Sequence, residues 1–110
     1  MITNNIDMQA IKRIDPLGGH GELNGFELVS AAMFDNKLNG FFYNELKVGS
    51  EIGFHQHVNN SEVYYLLAGD AQVKDNDDNW VDLKVGDCLY TKDGMWHALK
   101  NVGDIEVKFL

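Results

Sequence analysis

The chain has 110 residues, a mass of 12.4 kDa and a formal net charge of −8, which together fit one domain. An acidic chain repels phosphate backbones and anionic lipids, so we expect neither nucleic-acid nor membrane partners. Cys88 is the single cysteine, which excludes an intrachain disulfide, and no apolar run is long enough for a signal peptide or a membrane span. We therefore expect a reducing, cytoplasmic location.

The first 20 residues are predicted to form an N-terminal arm and a loop. Residues 1–16 mix asparagine and aspartate with scattered Ile and Met ahead of Pro16, a pattern that allows one helical turn. Three glycines within residues 17–21 disfavour both helix and strand interiors. His20 in this loop is predicted to be exposed, and a contact with a lid or a substrate is the less favoured alternative.

From residue 25 onward, apolar and polar residues alternate with a period of two, which is typical of β-strands. Turn signals rich in Gly, Asn and Asp separate the segments. The predicted strands cover residues 25–34, 40–48, 51–57, 62–68, 71–75, 80–85, 87–91, 96–101 and 105–110. Short strands at this spacing with almost no helix predict an all-β antiparallel sandwich or barrel in a single domain, with residues 25–110 as its body.

Apolar residues on these strands are predicted to form the core. The set comprises Phe26, Phe34, Phe42, Val73, Val81, Leu83, Leu99, Val107 and Phe109. Cys88 is predicted to be buried among them as a small hydrophobe.

The segment 62–68 is apolar on both faces of the predicted strand. Val63, Tyr65 and Leu67 point to one face, while Tyr64 and Leu66 point to the other. A half-exposed strand would carry polar residues on one face, so either the N-terminal arm or a second subunit covers this one. An arm of about 16 residues covers little area, and we therefore expect a homodimer.

One predicted hairpin carries three side chains that are able to bind a metal. His55 and His57 lie two residues apart on a strand, so they point to the same face. A tight polar turn at residues 58–61 brings Glu62 back beside them. Two neutral imidazoles and one carboxylate on a common face suit a divalent first-row metal with open coordination positions. A plain surface histidine pair is the other interpretation of this hairpin.

The residues around the hairpin resemble the first conserved motif of the cupin family. The matching positions are Gly49, His55, His57, Glu62 and Gly69. A second stretch resembles the second cupin motif at Gly86, Gly94, His97 and Asn101. Lys92 stands where that motif usually has proline. This departure affects the predicted path of the turn before His97 but not the match of His97 to the histidine of the motif.

The resemblance implies a small single-domain cupin, an all-β jelly-roll barrel with a metal at its mouth. The metal ligands that it implies are His55, His57, Glu62 and His97. The expected cofactor is one divalent ion per chain: Fe, Mn or Ni if the site is catalytic, with Zn a common occupant after purification. Three imidazoles and one carboxylate leave room for a small-molecule ligand, which suits catalysis better than a closed structural site.

Two further side chains are candidates for contact with a ligand or for a catalytic role. Tyr64 lies two residues beyond Glu62 on the same face, where its hydroxyl could reach a ligand or orient the carboxylate. Asn44 falls on the apolar face of the strand 40–48, where a buried amide needs a partner. A structural role fits each residue equally well. Tyr64 would then fill the interior, and Asn44 would cap a backbone group.

The function that the resemblance implies is a metal-dependent enzyme acting on a small oxygen-rich molecule, either a carboxylate, an enediol or a sugar-like compound. Lewis-acid or O2-dependent chemistry would make it a dioxygenase, an isomerase or a decarboxylase-like cupin. The alternative is a binding or sensing module that holds a sugar-like ligand without turnover. An acid or base within hydrogen-bond reach of the ligand distinguishes the two.

Overall fold

The computed structural model describes all 110 residues and contains ten β-strands and three short 3-10 turns. The turns cover Asn5–Asp7, Pro16–Gly18 and Ala31–Phe34. The strands are β1 (Ala10–Ile14), β2 (Glu22–Ser30), β3 (Gly40–Leu46), β4 (Glu51–Gln56), β5 (Glu62–Ala68), β6 (Ala71–Asp75), β7 (Trp80–Leu83), β8 (Cys88–Thr91), β9 (Trp96–Asn101) and β10 (Val107–Phe109). No helical segment is long and apolar enough to cross a membrane.

The strands form two antiparallel sheets. The order is β1-β2-β3-β10-β5-β8 in the six-stranded sheet and β4-β9-β6-β7 in the four-stranded sheet. Strands far apart in the sequence are neighbours in both sheets, such as β3 with β10 and β4 with β9, which is the connectivity of a jelly roll. The predicted all-β jelly-roll fold is therefore confirmed, with hydrogen bonding divided between two sheets.

The core lies between the two sheets and forms one apolar cluster. Its members are Leu23, Leu46, Ile52, Tyr64, Leu66, Ala71, Val73, Leu83, Leu89, Leu99, Val107 and Phe109. Five of the predicted core residues belong to it, while Phe26 and Phe42 are only half-buried. Side chains that alternate inward from both sheets thus account for the period-two pattern in the sequence.

Three predictions of burial are wrong. Phe34 and Val81 are each 49% exposed, and Cys88 is exposed as well. Phe34 lies in the 3-10 turn that follows β2, so the strand period does not apply to it. Val81 lies on the edge strand β7, and Cys88 lies on the outer face of β8, where the neighbouring Leu89 takes the buried position.

The N-terminal 20 residues contain a strand that the sequence analysis does not predict. β1 pairs with β2 from Ala10 opposite Phe26 to Ile14 opposite Glu22. The single helical turn expected in this segment is present at Asn5–Asp7. Every residue of β1 is exposed because β1 is an edge strand, and without a buried face it lacks the alternation that marks a strand.

β5 has one buried and one exposed apolar face. Tyr64 and Leu66 are buried, whereas Val63, Tyr65 and Leu67 are 50%, 42% and 40% exposed. The N-terminal arm does not cover this outer face, since β1 lies at the other end of the six-stranded sheet, beside β2.

Asn101 supports the loop between β9 and β10, and its loss will destabilise the fold. Its buried Nδ2 donates to the carbonyls of Leu46 and Ile105 at 3.1 and 2.8 Å, and its Oδ1 accepts from the Gly103 amide at 2.9 Å. Asn101→Ala leaves these backbone groups without partners, so we expect a loss of about 2–4 kcal/mol in the free energy of unfolding. Urea unfolding measures it. The control is Asn79→Ala, which changes an exposed asparagine. Equal stability of the two variants would contradict the supporting role of Asn101.

Candidate metal centre

Four side chains from different parts of the chain meet between the two sheets. His55 on β4 lies directly opposite His97 on β9 in the strand register. His57 follows the end of β4 and continues the pairing, because its amide donates to the Met95 carbonyl at 2.9 Å. Glu62 opens β5 after the turn. One potential ligand atom from each of the four side chains lies within 4.8 Å of the others.

The Nε2 atoms of the three imidazoles are in close contact. Nε2 of His97 lies 3.0 Å from Nε2 of His55 and 3.0 Å from Nε2 of His57. Oε1 of Glu62 lies 3.3 Å from Nε2 of His57 and 3.2 Å from Nε2 of His97. This carboxylate oxygen is buried and receives no hydrogen bond from the protein. The structure therefore brings together the four residues named from the sequence.

Hydrogen bonds to Nδ1 hold the first two imidazoles with Nε2 pointing at the cluster. Nδ1 of His55 donates to the Gly53 carbonyl at 2.7 Å, and Nδ1 of His57 donates to Oδ1 of Asn60. Both acceptors are carbonyl oxygens, so the proton of each neutral ring lies on Nδ1. The lone pair of each Nε2 is thus directed inward. Asn60 belongs to the turn at residues 58–61, which consequently both returns the chain and orients a histidine.

His97 is held on all sides. It is 1% exposed, and its Nδ1 lies 2.7 Å from the buried Thr91 hydroxyl, which accepts the ring proton when Nε2 binds a metal. Its ring stacks on Tyr64 with centroids 4.8 Å apart and an interplanar angle of 21°. Tyr64 in turn contacts Phe109 edge to face at 4.8 Å. The third Nε2 is therefore fixed by the core itself.

The electrostatics of the cluster suit a cation. Burial lowers the pKa of His55, which keeps its imidazole neutral at pH 7. Burial raises the pKa of Glu62, but positive charge on the neighbouring His97 and His57 outweighs it and holds the pKa below its ordinary value, and a cation bound among neutral rings would act in the same direction. Inward lone pairs and a carboxylate with no donor repel one another unless a positive ion lies between them. The four residues therefore fit a divalent metal.

A cavity of about 1010 Å³ opens onto the cluster. His55, His57 and Glu62 line it, together with the two residues predicted to contact a ligand, Tyr64 and Asn44. The cluster thus has access to a small molecule.

Tyr64 and Asn44 differ in what they offer to a ligand. Burial, followed by the charge of Glu62, raises the pKa of Tyr64 well above its ordinary value, so its phenol keeps its proton. Asn44 is half-buried and lies opposite Gly25 in the strand register. A Cβ at Gly25 would lie 3.2 Å from Oδ1 of Asn44, so the glycine leaves space for the amide.

Three further residues belong to this site and are not predicted from the sequence. Thr91 and Asn60 orient histidines, and Arg13 lines the cavity from β1. No local signal marks Thr91 or Asn60, since each meets its histidine only in the folded chain. Arg13 is the only arginine of the chain, which could have drawn attention to it, but it lies in the segment predicted to be an arm outside the site.

The glycine-rich loop at residues 17–21 lies against β4 next to His55. A Cβ at Gly53 would lie 2.2 Å from the Leu17 carbonyl, so only glycine permits this close approach. The backbone of His20 exchanges two hydrogen bonds with Glu51, at 3.0 and 2.8 Å. The side chain of His20 is exposed, as predicted, and lies outside the cluster.

Removal of the Thr91 hydroxyl will weaken metal binding while leaving all four ligands in place. Thr91→Val nearly preserves volume but leaves Nδ1 of His97 without its acceptor, so we expect the metal affinity to fall about 10- to 100-fold. Competition with a chelator of known affinity measures the change. Thr91→Ser keeps the hydroxyl and should retain most of the affinity; a valine variant that binds metal as tightly as the wild type would refute the orienting role.

Comparison with known proteins agrees with this geometry. Residues 42–110 match the Cupin_2 family, described as a cupin domain. The chain is 36% identical over 93 residues to the oxalate-binding protein of Thermotoga maritima, covering 84% of this chain and 76% of that protein.

Solved structures show the same fold along almost the whole chain. The crystal structure of a predicted oxalate decarboxylase from Thermotoga maritima superposes with a TM-score of 0.93 at 30% identity, covering 99% of this chain and 94% of the other. The polyketide cyclase RemF of Streptomyces resistomycificus has a TM-score of 0.77 at 14% identity, covering 99% and 75%, a likeness of fold alone. The family match spans more than half of the sequence, and this chain therefore belongs to the cupin family.

Proposed function

We propose that this cupin holds one divalent metal at His55, His57, Glu62 and His97 and binds a small carboxylate ligand there. The observation that carries the proposal is the convergence of three imidazole Nε2 atoms and one buried, unpartnered carboxylate oxygen beside a cavity. The donor set accepts Fe, Mn, Ni or Zn, and four protein ligands leave positions open. A metal bound there supplies Lewis-acid attraction for ligand oxygens.

The charge of the cavity favours a carboxylate over an enediol or a sugar. Arg13 and Lys37 line it, and Glu62 is the only acidic side chain that does so. The surroundings of the cluster are thus basic in a chain whose net charge is −8. The names of the similar proteins, an oxalate-binding protein and a predicted oxalate decarboxylase, support the same ligand class.

The residues around the ligand favour binding without acid–base catalysis. Glu62, the only acidic side chain in the lining, is assigned to the metal, and Tyr64 keeps its proton. The lining therefore offers no free side-chain base of ordinary strength. In this proposal the chain positions the ligand: the fixed histidines hold the metal in place, and Asn44 offers an amide to the ligand's polar groups.

A second candidate function is turnover of the bound carboxylate, as in a decarboxylase-like cupin. Two observations favour it: the open coordination positions and the fold likeness to the predicted oxalate decarboxylase. Product formation distinguishes this candidate from binding alone.

The test is calorimetric titration of oxalate into protein loaded with Mn²⁺ or Zn²⁺, and into the same protein after chelation. We expect saturable binding that requires the metal, and no binding of the neutral sugar glucose. Headspace CO2 and formate are then measured after prolonged incubation under air. Their absence supports the binding module, and their steady release supports the enzyme. Oxalate binding that is equal with and without metal would overturn the proposal.

We further propose that the protein is a homodimer that buries the outer face of β5 and β8. Val63, Tyr65 and Leu67 are exposed on this face, and Tyr90, opposite Val63 in the register, is 57% exposed. Such a contiguous apolar surface is typical of an interface between subunits. Light scattering after size exclusion should give twice the chain mass, and Tyr90→Asp should give a monomer.

The matched control for the dimer is Val48→Asp, which places the same charge on an exposed valine in the turn between β3 and β4. This variant should remain a dimer. A wild-type protein that is monomeric at all concentrations would refute the homodimer.

A further inference from the structure

We infer that Arg13 binds the far carboxylate of a dicarboxylate ligand whose near carboxylate lies at the metal. This inference rests on the proposed function and narrows the ligand class to dicarboxylates longer than oxalate. Arg13 is then a residue that determines specificity, contributed by the N-terminal strand and not by the two motifs that supply the metal ligands.

The strand register places Arg13 on the inner face of the six-stranded sheet. Arg13 lies directly opposite Leu23 of β2, and Leu23 lies opposite Leu46 of β3. Leu46 in turn lies opposite Val107 of β10. Directly paired residues share a face, and these three neighbours are 7%, 0% and 0% exposed. Arg13 therefore continues a row of core residues out to the open edge of the sheet, where the row reaches the cavity.

Arg13 has no acidic partner in the protein. The adjacent Lys12 points to the outer face and pairs with Glu22 at 3.2 Å, whereas no ion pair or side-chain hydrogen bond involves Arg13. Arg13 is exposed at the cavity, so its guanidinium is free to meet a ligand, and its planar fork matches a carboxylate in two parallel hydrogen bonds. An anion from outside the chain is therefore the partner that we assign to it.

The lining of the cavity extends from the metal cluster to cationic side chains. Arg13 lines it together with His55, His57 and Glu62, and its volume of about 1010 Å³ also takes in the exposed surface beside Val63, Tyr65 and Tyr90. A two-carbon dianion would use both carboxylates at the metal, whereas a longer dicarboxylate has a second carboxylate free for Arg13. Lys37, in the loop before β3, adds a second cation to the lining, so the region away from the metal is basic.

The test compares succinate with butyrate, which have the same four-carbon length but two carboxylates and one. Both acids are titrated into Zn²⁺-loaded wild type, Arg13→Gln and Lys12→Gln. We expect wild type to prefer succinate by about ten-fold or more, because a hydrogen bond to a charged group contributes on that scale. Arg13→Gln should lose this preference while its butyrate affinity and zinc content stay the same. Lys12→Gln removes the neighbouring charge on the other face and should keep the preference.

Rescue by the conservative variant separates recognition from folding. Arg13→Lys restores the charge without the fork and should recover part of the preference for succinate. Equal preference in wild type and Arg13→Gln, or no preference in wild type, would overturn this inference. Metal-dependent oxalate binding would still support the proposed function in either case. If oxalate also fails to bind, both proposals fail.

Discussion

Alanine at His55 will reduce metal binding at least about 100-fold. The loss of a group that merely orients a ligand costs about 10- to 100-fold in metal affinity, and the loss of the ligand itself costs more. His55 is a suitable target because it is half-buried, so its truncation disturbs the core less than truncation of the fully buried His97. Wild type should carry one metal ion per chain by elemental analysis after loading and desalting, and His55→Ala close to none.

His20→Ala is the matched control for this experiment, since it removes an exposed histidine outside the cluster. It should bind metal as the wild type does. His57→Ala should also lose its bound metal, because the rings of His55 and His57 both direct Nε2 at the same point. Equal metal content in wild type, His55→Ala and His57→Ala would exclude the cluster as the metal site.

Metal loading will stabilise the fold strongly. Without a cation, the inward lone pairs and the buried Glu62 oxygen lack partners, and a metal that binds only the folded chain removes this cost. At a free metal concentration 100 times the dissociation constant, the gain is about 2.7 kcal/mol. For a domain of this length it corresponds to a rise of roughly 10 °C in the melting temperature. Calorimetry with and without a chelator measures it.

His55→Ala is the control for the stability measurement as well. This variant should melt at the same temperature with and without metal, because it lacks a complete binding site. A similar rise in both proteins would mean that the metal acts elsewhere on the chain, for example at the acidic turn between β6 and β7.

Most of the strands could be predicted because their signal is local. A strand with one buried face alternates apolar and polar residues, and Gly, Asn and Asp mark the turns between strands. β1 lacked that signal because neither of its faces is buried. The same rule explains the wrong expectations for Phe34 and Cys88, whose exposure depends on where β2 ends and on which face of β8 turns inward.

The amino-acid sequence by itself determined that His55, His57 and Glu62 would be neighbours. Residues two apart on a strand share a face, and a turn of four residues returns the next strand beside it. It also pointed to His97, through a spacing that resembles the second cupin motif.

Only the tertiary structure decided what surrounds these ligands. Thr91 meets His97 because β8 and β9 belong to different sheets that face each other, and Arg13 reaches the cavity because β1 is in register with β2. Contacts of this kind join residues through strand register and the packing of one sheet on another. No local pattern in the sequence encodes them, which is why the residues that support the cluster could not be predicted, whereas the clustering of His55, His57 and Glu62 follows from local strand and turn geometry.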